Sequence, residues 1–173
     1  MQDFDTNSIQ TEEETKRPVF LTVLCVLSFI SIGFGLMSSL LGMINGPISN
    51  EKLEESLVDM YNMLSFYQDQ GIEVMTDFIQ KTIDSSLYIN NETFYLNEAL
   101  GLISLLVGLV GVVFMFKQLK LGFHFYIIYS ILPVVILYMV LPAELISTFF
   151  VGISLFFNAI FCLLYGLNLK YMK

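Results

Sequence analysis

The chain has 173 residues, of which 55% are hydrophobic and only 14% are charged. Its mean hydropathy is +0.71, whereas a soluble domain carries about 25% charged residues. The formal net charge of −8 is unevenly spread, and the absence of a basic patch excludes nucleic-acid binding. Two Cys more than a hundred residues apart in apolar runs form neither a disulfide framework nor a metal site.

Residues 1–17, MQDFDTNSIQTEEETKR, are polar and acidic with no apolar periodicity. That composition cannot bury a core and predicts a disordered cytoplasmic tail. From Val19 to Ile44 there are 26 residues without a charge. A signal peptide has an apolar region of about 7–15 residues and a small-residue cleavage site, which this stretch lacks. Leu24 before Cys25 is too large for a lipoprotein signal. The run is about 39 Å long as a helix, enough for a core of about 30 Å, so residues 18–44 are assigned to an uncleaved span 1.

Residues 45–94 form the one substantial loop, with nine acids against Lys52 and Lys81. Asn45-Gly46-Pro47 stops the first helix. Leu53, Leu57, Met60, Leu64 and Tyr67 then recur at steps of four and three, one face of a helix. Gly71 breaks the pattern, and Ile72, Met75, Ile79, Ile83 and Leu87 repeat it. Two amphipathic helices joined near Gly71 are expected, an extracytoplasmic helical hairpin between spans one and two. Their apolar faces either pack on each other and on the ends of the spans, or form a docking surface for a protein partner through Leu53, Leu57, Met60, Leu64 and Tyr67. Acidic helices suit anionic lipid surfaces poorly. Asn91-Glu92-Thr93 matches a glycosylation acceptor, a pattern that recurs often by chance.

Residues 95–173 hold spans two to four: Ala99 to Phe116, Leu121 to Leu141 and Leu145 to Leu169. The connections KQLK and PAE are short and force antiparallel neighbours. Lys16, Arg17, Lys117, Lys120, Lys170 and Lys173 fall on one side of this topology and Lys52 and Lys81 on the other. The positive-inside rule then places both termini in the cytoplasm and residues 45–94 outside it. The expected fold is an all-α transmembrane four-helix bundle.

Small residues mark two packing seams: Ser28, Ser31, Gly35, Ser38 and Gly42 in span one, and Gly101, Ser104, Gly108 and Gly111 in span two. They let backbones approach closely where hydrophobic exclusion offers little. Asn158 is expected to hydrogen-bond another helix, and Pro133 to kink span three by depriving the Tyr129 carbonyl of its donor. His124 sits one turn after Lys120, near the headgroups. Glu98 and Glu144 sit at the N-terminal ends of spans two and four, where the helix dipole favours a carboxylate. Cys25 and Cys162 fall at similar depth, so spans one and four are expected to touch there, without a native disulfide.

Chemistry-bearing patterns are lacking. No catalytic residue, cofactor site or metal site is assigned, since no ionisable group lies deep in a span and no nucleophile has a recognisable base.

Residues 17–36, RPVFLTVLCVLSFISIGFGL, and 163–173, LLYGLNLKYMK, resemble segments of uncharacterised small four-span membrane proteins of Bacteroidetes-type bacteria. The resemblance covers the two ends of the chain. It implies an inner-membrane protein with residues 45–94 in the periplasm, and no activity. The expectation drawn from all of this is a non-enzymatic accessory or scaffold subunit of a larger inner-membrane assembly. Its partners would be membrane lipid and a membrane protein or further copies of itself. The alternative is a small oligomeric transport or permeation protein with a path lined by Ser, Asn and Tyr.

Overall fold

The computed structural model describes residues 18–173, so the acidic tail expected at 1–17 lies outside the described residues. The described chain is helical and contains no strand. Four of its helical stretches are long and apolar enough to cross a membrane, and the protein is an all-α membrane protein.

Helix α1, Val19–Asn45, starts directly after Pro18 and ends at Gly46, which caps it with φ 72° and donates to the Gly42 carbonyl at 2.8 Å. Helix α2, Asn50–Asp69, has Glu51 in its first turn, where the exposed N–H groups favour a carboxylate. Gly71, with φ 69°, turns the chain into α3, Glu73–Tyr88.

Helix α3 does not stop where the sequence predicts an end to the loop. It passes through a five-residue π-helical segment, Ile89–Thr93, straight into α4, Phe94–Phe116. Together they form one helical run of 44 residues, Glu73–Phe116, about 66 Å at 1.5 Å per residue. Ile89-Asn-Asn-Glu-Thr contains no Gly or Pro, so nothing local breaks the helix. The misfit is absorbed as a π-bulge, the usual form of an inserted residue in a helix.

Helix α5, Leu121–Val140, remains one helix through Pro133. The link after it is longer than PAE: Ala143–Leu145 forms a 3₁₀ turn, and α6, Thr148–Gly166, begins only after Ser147 caps it by accepting from the Phe150 N–H at 3.5 Å. Leu141 and Ile146 leave the helical pattern because they are buried with Ile136 and Val140 beneath Tyr88 and Ile89.

The spans pack in chain order. The α4–α5 contact is the most extensive, followed by α1–α4 and α5–α6. Helices α2 and α3 close on a separate small core of Leu53, Leu57, Leu64, Ile79 and Ile83. Each buried Leu or Ile is worth about 1.5–3 kcal/mol. The exposed Lys81–Asp77 pair, 3.1 Å apart at i,i+4 spacing, adds about 0.3–0.5 kcal/mol at most. Apolar burial therefore dominates the pairing. Helix α3 is moored to the bundle by the Ser85 hydroxyl, which donates to the Leu145 carbonyl at 2.8 Å, and by the Phe78–Phe149 edge contact at 5.4 Å.

The two ends of the molecule differ in charge. The acidic end carries α2 and α3. At the basic end the Lys173 N–H donates to the Gln118 carbonyl at 2.7 Å and the Lys120 N–H to the Lys173 carbonyl at 3.0 Å. Those two bonds seat the last residues on the α4–α5 turn.

Candidate functional site

Residues of three kinds were singled out in the sequence, and the structure distributes them differently. In α4, Ser104, Gly108 and Gly111 are buried, while Gly101 faces open space. A methyl group added at Gly108 would lie 2.7 Å from the Tyr129 ring, and one at Gly111 would lie 3.0 Å from the Tyr126 backbone nitrogen. The partner of these glycines is Gly122 on α5, where an added methyl would strike the Met115 backbone nitrogen and lie 2.6 Å from the Gly111 carbonyl. The sequence reading missed Gly122, although a Gly two residues after a basic turn in an apolar run was visible.

In α1 the contact stripe is narrower than the predicted seam. Gly35 meets Leu105, Gly42 meets the Glu98 carboxyl group and Ser28 meets Tyr165. Ser31 and Ser38 are exposed. The positions completing the stripe lie one residue later, at Ile32 and Ser39. A step of four from Ser28 rotates by about 40° and a step of three by about −60°, given 3.6 residues per turn. The face turned to the bundle is the first of these.

Asn158 donates to the Ser130 carbonyl on α5 at 2.8 Å. Leu53, Leu57 and Leu64 are buried against α3, with Met60 and Tyr67 half-buried beside them. This face is covered within the chain, because the polar loop has no other apolar surface of matching period to set against α3.

Aromatic residues that the sequence reading left as part of the apolar runs build the centre of the bundle. Tyr165 is wholly buried, its ring centroid 4.5 Å from that of Tyr126, and its hydroxyl shares a hydrogen bond of 2.8 Å with Ser28. Leu21, Leu24, Cys25, Val112, Met115 and Met172 pack around it and close the basic end. Cys25 is buried and Cys162 half-buried, and the two form no disulfide.

Two clefts open between the helices of the bundle. One, of about 210 Å³, lies between α1, α5 and α6 and presents Ser28, Ser31, Tyr126, Tyr129 and Asn158. The other, of about 260 Å³, lies between α1, α4 and α5 nearer the acidic end and presents Ser39, Asn97, Glu98, Ser104 and Tyr129. Tyr129 forms a wall of both. Ser104 Oγ and Glu98 Oε2 are buried without a hydrogen-bond partner. Among the described residues, no three His, Cys, Asp or Glu side chains gather closely enough to hold a metal ion.

The chain matches no family model, no curated protein and no solved structure.

Proposed function

We propose that the protein is a non-enzymatic accessory subunit of an inner-membrane assembly, with its basic end in the cytoplasm and α2 and α3 forming an extracytoplasmic hairpin that receives the partner. The orientation rests on the sequence, in which six of the eight basic residues flank the spans on one side of the expected topology. The observation that carries the docking role is the outward face of α2. Glu51, Glu54, Glu55 and Asp59 are exposed there beside Val58, Tyr61, Met63 and Phe66. Carboxylates interleaved with exposed aromatic and aliphatic side chains suit a partner segment carrying Lys or Arg among apolar residues. This face is the reverse of the stripe from Leu53 to Tyr67, and it needs no rearrangement of the α2–α3 core.

The test is gentle detergent purification from the native membrane. A partner should co-purify with the wild-type chain and be lost from the Glu55→Lys/Asp59→Lys double variant, whose melting should be unchanged because both positions are exposed and lie beyond the first turn of α2. A chain that runs alone, or a double variant that keeps its partner, removes the proposal.

The permeation reading is favoured by the two polar clefts that share Tyr129. It requires a continuous path, and the apolar cluster around Tyr165 closes the basic end. Cation flux through proteoliposomes of the purified chain would establish it in place of the accessory role.

A further inference from the structure

We infer that the cleft between α1, α4 and α5 binds one monovalent alkali cation, held by the Glu98 carboxylate and the Ser104 hydroxyl and entered from the acidic end. Among the described residues three buried side-chain atoms lack a hydrogen-bond partner, Thr93 Oγ1, Glu98 Oε2 and Ser104 Oγ, and the last two border one cavity. Glu98 Oε2 is shut off from solvent and accepts no hydrogen bond, and the same holds for Ser104 Oγ, on a residue 4% exposed. The two side chains lie six residues apart on the same helix.

A serine in a helix usually settles its hydroxyl on a carbonyl of the preceding turn, as Ser130 does with Tyr126 at 2.9 Å. Ser104 does not. A carboxylate oxygen withdrawn from water needs a donor or a counter-charge. No Lys or Arg lies in α1, α4 or α5, so these helices offer no basic side chain as the counter-charge, and a bound cation would supply it.

The cavity dictates the kind of cation. About 260 Å³ holds several waters besides an ion. The ligands on offer are one carboxylate and the neutral oxygens of Ser104, Ser39 and Asn97. Calcium sites gather six to eight oxygens from several carboxylates, and magnesium demands near-octahedral order. One negative charge with hydroxyl and amide oxygens balances one positive charge. Gly42 leaves the space in which the carboxylate sits: a methyl group there would lie 3.5 Å from Oε2. The site stands independently of whether a partner docks on α2.

The experiment uses the purified full-length chain in detergent. Its melting is followed by tyrosine fluorescence, which no Trp obscures, as NaCl replaces choline chloride at constant total salt. The melting temperature should rise saturably with sodium. Glu98→Gln should raise the half-saturating concentration at least about tenfold, the effect of losing one modest ionic contact. Ser104→Ala should raise it by less, and Glu144→Gln, at an exposed position of the same end, should leave it unchanged. Equilibrium binding of radiolabelled sodium to the wild-type chain, displaced by NaCl but not by choline chloride, reports the site without any variant. Identical melting in the two salts, absence of saturable sodium binding, or a wild-type response in Glu98→Gln would overturn the inference.

Discussion

The hydroxyl of Tyr165 on α6 and that of Ser28 on α1 share a 2.8 Å hydrogen bond across 137 residues of sequence. It joins the first and last spans at the depth of Cys25 and Cys162, beside a cleft that parts the same two helices. The bond and the ring act separately. Tyr165→Phe removes the bond and should lower stability by about 0.5–1.5 kcal/mol, the range for a hydrogen bond between membrane helices. Tyr165→Ala also empties a fully buried ring site and should cost about 3–5 kcal/mol. Thermal melts in detergent separate the two; equal losses would mean that the ring contributes nothing.

The glycines of α4 and α5 should respond in a fixed order. Gly122→Ala drives a methyl group into the backbone of α4, which cannot rotate away, and should cost at least about 1–3 kcal/mol. Gly108→Ala presses on the Tyr129 ring at 2.7 Å, which has some freedom to shift, and should cost less. Gly101→Ala meets nothing within 4 Å and should be neutral or stabilise by up to about 1 kcal/mol through helix propensity. Melting temperatures out of that order would show that α4 and α5 are not in close contact here.

Asn90 clasps the link between α1 and α2. Its Oδ1 accepts from the Ile48 N–H at 3.0 Å and its Nδ2 donates to the Ile48 carbonyl at 2.9 Å. Asn90→Asp keeps the acceptor and loses the donor; Asn90→Ala loses both. Cleavage of residues 46–49 by added protease should quicken in that order, with a stability loss of about 1 kcal/mol for the alanine variant. Unchanged cleavage in Asn90→Ala would show that the link is held by other contacts.

The spans were legible because lipid demands long uncharged runs, and Gly46 and Gly71 were legible because only glycine suits a positive φ cheaply. Gly108 and Gly111 were legible from spacing. Ser31 and Ser38 were read as seam positions, yet Ser38 is exposed and Ser31 borders the cleft between α1, α5 and α6, since steps of three and of four are equally compatible with a seam until the partner is known. The continuity of α3 with α4 left no mark, since a π-bulge needs no particular residue. Tyr126, Tyr129 and Tyr165 were hidden because an aromatic in an apolar run reads the same facing lipid or a neighbour. Glu98 and Ser104 were each seen, one as a helix-end carboxylate and one as a packing residue. Their shared cavity depends on α1 and α5, which no reading of α4 alone supplies.

The unbroken helix from Glu73 to Phe116 has a mechanical meaning. It is a single rod with a π-helical segment at Ile89–Thr93, and Glu98 sits a little over one turn beyond that segment. A load on the acidic layer has no slack loop in which to dissipate. It enters the bundle along α4, where the Glu98 carboxyl group lies beside Gly42, and through the Ser85–Leu145 and Phe78–Phe149 contacts at the start of α6.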